Sequence, residues 1–441
     1  MTWRHFVPAV IAVSLVVSLA SFHAKTPPAT RKLHAAGHFD VADLSFLMPP
    51  SSRSIALTSL GGVTPRLTDK LRAALSDFKS RAHHPKVKGD PFDSLIVTGF
   101  RFDPCGPSYP ADWSLDKCLQ PNIRLIAQVF DGTSVTSAAL HMVFTLGIHF
   151  DPYRPSFDPM VRGEVIQELR GMKARNAAAG IVTDGSHVGI HPAFRADQRD
   201  SARSREFTAE LKRLIEKHAT SANFFVTAVM FTEDLGKTSG KERWVWQKAG
   251  ANFERTANTE LVVTRRNILG VDGPEQTFTA DLESRAGAAV VPPSNRGCNA
   301  LPNSAIAGIL KPRTELTAVG AEAQKSIDAE LQAAIDVADR MDNPDHGSVP
   351  NDDCVSCHVA STASSYALHG ERRRRIARSK AFSLDFRDAG LTGGIDDADA
   401  EWLRSDGYRV MSMAFFKHRP SISQRVVNET LQAAYILNRK P

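Results

Sequence analysis

The sequence predicts an α+β N-terminal domain, a mixed sheet with helices, followed by an all-α C-terminal domain. Three observations carry this. Strand-like runs rich in β-branched and aromatic residues alternate with amphipathic helices up to about residue 285. Composition then shifts over residues 286–313 to Gly, Ala, Pro and Asn, beginning AGAAVVPPSNRGCN. Beyond that shift stand the strongest helix of the chain and a second, C-terminal one.

The length of 441 residues supports two domains. The predicted organisation is a signal peptide over 1–24, an α/β or α+β domain over 25–285, a linker over 286–313 and a helical domain over 314–441. A formal charge of +6 is mild for this surface and comes without an aromatic-interleaved basic motif. It gives no reason to expect nucleic acid and permits an acidic partner. At the N-terminus, Arg4 and His5 precede an apolar run from Val7 to Ala20. Ser18 and Ala20 supply the small residues that signal peptidase reads, with Ala24 as a second site. The run is too short to span a bilayer comfortably, so the expectation is a periplasmic or otherwise exported protein with no membrane span after cleavage.

In chain order, residues 25–50 read as an extended lead-in with an apolar patch from Val41 to Met48. Leu67 to Phe78 has helical spacing, and His83-His84-Pro85 closes it as a solvated turn. Ser94 to Phe102 and Asn122 to Phe130 read as strands, and Ala138 to Gly147 fits either a strand or a short helix. Helices are predicted over Gly163–Ala179 and Glu206–His218. The nearly continuous apolar run Asn223 to Phe231 predicts a central buried strand, with further strands at Arg243–Gln247 and Glu260–Thr264. His187 and His191 are four apart, but Gly189 and Pro192 favour a loop over a metal-binding helix face. Trp244 and Trp246 point to one side of a strand, as a packed face. No phosphate-cradling glycine motif and no nucleophile–base–orienter set is found.

Glu315 to Met341 is rich in Ala, Glu and Leu, with Ile327, Leu331, Ala334, Ile335 and Ala338 on one stripe. An acidic turn follows, and then Asp353-Cys354-Val355-Ser356-Cys357-His358. Cys-x-x-Cys-His is the pattern by which a chain holds haem c. Two intervening residues let both thiols reach one edge of the ring and add to its vinyl groups, and the following histidine swings under it to ligate the iron. Cys354 and Cys357 are the candidate thioether sites, and His358 is the proximal ligand. Export suits this reading, because attachment occurs outside the cytoplasm, where disulfides also persist. The competing readings are a redox-active or structural disulfide, or a zinc site completed by His346, Cys298 or His369.

Of the five cysteines, Cys105 and Cys118 bracket a Pro- and Gly-containing loop between two strands. A disulfide there contributes about 3 kcal/mol by loop entropy. Cys298 would then be the odd thiol, although it is equally able to pair with either. Arg372 to Arg375 read as a solvated face able to neutralise haem propionates or dock an acidic redox partner. Ile395 to Arg404 begins with acids suited to a helix start, and Ser421 to Asn438 is the final amphipathic helix. After His358, the candidates for a second axial ligand are His369, Met411, Met413 and His418.

The order helix, Cys-x-x-Cys-His, connecting helices, methionine, final helix resembles class I cytochromes c over about residues 315–441. That resemblance implies one covalent haem c, Met413 as distal ligand with Met411 or His369 as alternatives, and two helices crossing beside the haem. It implies electron transfer with a redox partner. It does not reach the N-terminal domain.

Overall fold

The computed structural model describes residues 38–61, 66–75, 78, 87, 89–106, 114–118, 120–149, 156–183, 187–195, 201–234, 241–252, 262–265, 275–281, 320–344, 360–361, 364, 368, 394–395, 413–416 and 419–439. Several expectations lie outside the described residues: the signal peptide, the 286–313 linker with Cys298, the motif residues Cys354, Cys357 and His358, and also His83, His84, His346, His369, Met411, His418 and the arginine run.

One eight-stranded sheet organises the chain. Its strands are β1 (Ser45–Leu47), β2 (Leu95–Asp103), β3 (Asn122–Phe130), β4 (Val135–Thr145), β5 (Phe224–Asp234), β6 (Lys241–Asn252), β7 (Val262–Arg265) and β8 (Glu275–Asp281). The order is β1-β2-β3-β4-β5-β6-β7, and β8 also pairs with β6. Every ladder in this sheet is antiparallel, which corrects the mixed sheet expected from helices interspersed among strands. The physical reason is local. A tight turn at Asp131–Ser134 joins β3 to β4, with the Asp131 carboxylate accepting from the backbone N–H groups of Thr133 and Ser134. The helices between β4 and β5 form an excursion that returns the chain beside β4 in the opposite direction, so no parallel crossover is made.

The helices are α1 (Val41–Leu44), α2 (Arg66–Ala74), α3 (Pro159–Ala178), α4 (Ala202–His218), α5 (Ala321–Asp342) and α6 (Gln424–Asn438). Asp158 caps α3 with Pro159 in its first turn, Ser201 caps α4 and Ser423 caps α6. A hairpin of β9 (Met413–Phe416) and β10 (Arg419–Ile422) immediately precedes α6.

The two faces of the sheet differ in chemistry. Register aligns Phe46, Phe100, Leu125 and Met142 across β1 to β4, on a buried apolar face. Val165 and Leu169 of α3 and Phe207, Leu211 and Leu214 of α4 join the same core. The Phe46 ring lies 5.4 Å from Phe100 and 5.7 Å from Phe207. The opposite register line carries Ser45, Arg101, Arg124 and Val143. This second face holds Arg101, Asp103 and Gln128 and is nonetheless buried, because the hairpin and α6 cover it.

The C-terminal region therefore departs from the all-α, cytochrome c-like domain expected there. Its described residues include two strands, and Ile395 pairs with Val188 in a short parallel bridge where a helix start was expected. Residues 413–415 are all buried, as a short strand enclosed on both faces, and Arg419-Pro420 makes a poor helix interior. The lead-in from Val41 to Met48 is a buried helical turn and an edge strand. The ambiguous segment at Ala138–Gly147 belongs to a strand as far as Thr145. The apolar run at Asn223–Phe231 forms an interior strand that still exposes Phe225.

Candidate functional site

The residues that flank the Cys-x-x-Cys-His segment converge at α6, and α6 links that segment to the sheet. Its anchor is Glu429. Arg101 Nη2 donates to Glu429 Oε2 at 2.8 Å, Arg124 Nη1 reaches the same oxygen at 3.2 Å, and Arg425 Nε donates to Oε1 at 2.8 Å. Arg101 and Arg124 stand directly opposite one another on β2 and β3, so without a shared counter-charge they would repel. Burial alone would raise the Glu429 carboxyl, but Arg101, Arg425 and Arg124 together outweigh it and hold the group well below the usual carboxylate range. Burial, reinforced by Arg124, lowers Arg101 from its ordinary value. Asp103 completes the network at 3.4 Å from Arg124 Nη2. Burial raises its carboxyl, although Arg124 and the backbone N–H of Cys105 oppose that shift.

Asp103 Oδ1 also accepts from the N–H groups of Cys105 and Gly106, which shapes the turn where the structure joins Cys105 to Cys118 by a disulfide. Gly106 has φ +79°, and a Cβ there would come within 2.3 Å of the Gln120 carbonyl oxygen, so only glycine fits.

A second anchor is an amide. Gln128 Oε1 accepts from Phe415 N at 2.7 Å, and its Nε2 donates to Phe415 O at 2.7 Å. One side chain thus pairs with the β9 backbone as a neighbouring strand would. Thr98, the extra residue at a bulge in β2, donates its hydroxyl to Gln128 Oε1 at 3.0 Å and fixes the orientation of the amide. A third contact joins Thr430 Oγ1 of α6 to Ser45 Oγ at 2.8 Å.

The other side of α6 meets the chain on both sides of the motif. Arg425 Nη1 donates to Met341 O and Asn428 Nδ2 to Asp342 O, each at 2.7 Å, satisfying carbonyls at the C-terminus of α5. Beyond the motif, Ala360 packs against Ala338 and Met341 of α5. Ser361 Oγ donates to Asp342 Oδ1 at 3.0 Å and accepts from Gln424 N at 2.8 Å. Asp342 and Ser361, which bracket Cys354, Cys357 and His358 in sequence, are therefore joined to each other and to the first turn of α6. Ser364 is 1% exposed, and among the described residues its Oγ has no hydrogen-bond partner. Ser364 O accepts from Leu368 N at 3.0 Å.

Met413 opens β9 and is 1% exposed, so its thioether is interior. His191 is buried in a loop, as Gly189 and Pro192 indicate, and stacks on Phe207 at 4.2 Å. Its Nδ1 accepts from Ala193 N. Burial first, then Arg195 and Arg203, lower its pKa to about 3, so it is a neutral packing group. Glu164, Glu168 and His218 come together, but Lys217 Nζ lies 2.9 Å from both carboxylates and supplies the cation there.

Glu429, Arg101, Arg124, Gln128 and Ser361 escaped the sequence reading. Two partners of Glu429, Arg101 and Arg124, lie 328 and 305 residues away in sequence, and a single chain offers no signal for such pairs. A locally visible hint was the set of polar residues at every second position of β2, Arg101 and Asp103, opposite Arg124 and Asn122 of β3. Among the described residues, no helix is long and apolar enough to cross a membrane. No family model, curated protein or solved structure matches the chain.

Proposed function

We propose that this protein is an exported carrier of one covalently bound haem c that transfers electrons. The observation that carries the reading is Cys354-Val355-Ser356-Cys357-His358, set in a segment whose two ends are pinned together by Ser361 and Asp342. Cys354 and Cys357 hold the ring through thioethers, and His358 ligates the iron on the proximal side. Met413 is the distal ligand, with Met411 and His369 as the alternatives. Its near-complete burial suits a thioether shielded from water. When bound, the haem supplies a one-electron couple. The chain's part is to fix the axial ligands and to limit water around them, since both set the potential.

The orphaned hydroxyl of Ser364 fits a polar group arriving beside the motif, and the α5–α6 contact leaves the flanking helices adjacent. The basic run from Arg372 to Arg375 suits an acidic redox partner. The test is the visible spectrum of protein produced in a host that matures haem c. A sharp reduced α-band whose colour survives acid–acetone extraction is expected. A colourless protein with stoichiometric zinc contradicts the proposal and returns Cys354, Cys357 and His358 to a structural metal site.

A further inference from the structure

We infer that Glu164, Glu168 and His218 form a binding site for a divalent transition metal, with zinc(II) the best fit, and that Lys217 is its exchangeable occupant. This stands apart from the haem reading above. Glu164 and Glu168 lie four apart on α3, so one helical face presents both carboxylates. His218 is the last residue of α4, which packs against α3. One ligand atom from each of the three lies within 4.8 Å of the others. Glu168 Oε1 and His218 Nε2 are 3.2 Å apart, close to the roughly 3.4 Å that separates two ligands on a tetrahedral zinc.

The cluster is more than a patch of surface acid. The His218 side chain is 3% exposed, against 35% for Glu168 and 49% for Glu164, so a buried imidazole forms the floor and the carboxylates an open mouth. Among the described residues, the ring's one hydrogen-bond partner is the Glu168 carboxylate. Asn223 Nδ2 donates to His218 O at 2.7 Å and fixes the backbone that carries the ring. The carbonyl end of α4 adds negative potential at the same place. Burial would raise the Glu168 carboxyl, but hydrogen bonds from Lys217 and His218 hold it below its ordinary value. An imidazole beside carboxylates suits zinc, whereas magnesium and calcium favour oxygen alone.

In the structure, Lys217 Nζ lies 2.9 Å from Glu164 Oε2 and from Glu168 Oε1, and so marks where a cation is held. It is a weak occupant. Its side chain is 54% exposed, exposed ion pairs contribute little, and one ammonium answers only one of the two carboxylate charges. A divalent ion balances both and also takes the imidazole lone pair, while Lys217 swings into solvent.

The test titrates zinc chloride into the full chain by isothermal calorimetry, as wild type, Glu164→Gln, His218→Ala and Lys217→Met. Zinc taken up at Cys354 and Cys357 or elsewhere is common to all of them and drops out of the comparison. One equivalent of the wild-type uptake should be lost in His218→Ala and weakened about tenfold or more in Glu164→Gln. In Lys217→Met it should tighten roughly fivefold, because the metal no longer breaks an ion pair. Glu164 is half exposed, so Glu164→Gln separates loss of a ligand from a folding defect in His218→Ala. Equal zinc uptake, or none, in wild type, Glu164→Gln and His218→Ala overturns the assignment. An equivalent that appears only in Lys217→Met makes the lysine the permanent occupant and overturns it as well.

Discussion

The two faces of the central sheet are both buried, but by different physics. On one face, Phe46, Phe100, Leu125 and Met142 meet the apolar sides of α3 and α4, and the contact is non-directional. On the other, Arg101 and Arg124 meet Glu429, and Gln128, oriented by Thr98, meets the backbone of Phe415, through hydrogen bonds that each demand a particular geometry. An apolar face tolerates sliding and repacking, whereas a face built from a shared carboxylate and a bidentate amide fixes one register. The directional face receives the hairpin and helix that also hold the ends of the Cys-x-x-Cys-His segment. The difference shows how strands formed early in the chain fix a helix 305 to 328 residues further on.

The largest effect is expected from Glu429→Gln. It leaves three arginines without their shared carboxylate, and removing one partner of a buried network costs about 3–5 kcal/mol. Hydrogen exchange should then accelerate over residues 413–438 ahead of β2 to β4; uniform acceleration would mean that the polar face has no separate role. The same variant should flatten the acid limb of stability. Glu429 is held below its unfolded value, so its contribution is complete above the ordinary glutamate pKa, about 4.3, and is lost as pH falls below that toward the lowered native value. A next, smaller effect is expected from Gln128→Leu. It keeps much of the volume but leaves the Phe415 N–H and C=O unpaired, costing about 2–4 kcal/mol in denaturant unfolding.

The smallest effect tests the apolar face through His191→Phe. The His191 pKa falls from an unfolded value near 6.5 to about 3. Its contribution is therefore complete above pH 6.5 and declines as pH falls through the interval down to the native value. Wild type should lose about 2 kcal/mol by pH 5 from this group. The phenylalanine variant should lack that slope while giving up the bond from Ala193 N. An unchanged slope between pH 6.5 and 5 would rule out the neutral, stacked role.

Elements whose signal is local were legible in the sequence. β2 and β3 announced themselves by β-branched and aromatic runs, and α3, α4 and α6 by their apolar spacing. Strand direction was not legible, because the α3–α4 excursion between β4 and β5 looks like a crossover until the return direction of the chain is known. The β9–β10 hairpin was missed because four-residue strands give too short a pattern, and Met413 reads equally as a ligand or as a core residue. The motif supplied the chemistry of the candidate site. Its supports, Ser361 with Asp342 and Glu429 with Arg101 and Arg124, are tertiary pairings without a sequence pattern of their own.

The central claim is covalent attachment at Cys354 and Cys357, and intact mass with peptide mapping tests it most directly. Protein from a haem c-maturing host should carry the added mass of one haem, located to the peptide containing residues 354–357 and absent from a Cys354→Ala/Cys357→Ala variant. A wild-type chain at its unmodified mass from that same host, with both thiols alkylatable after reduction, would contradict it.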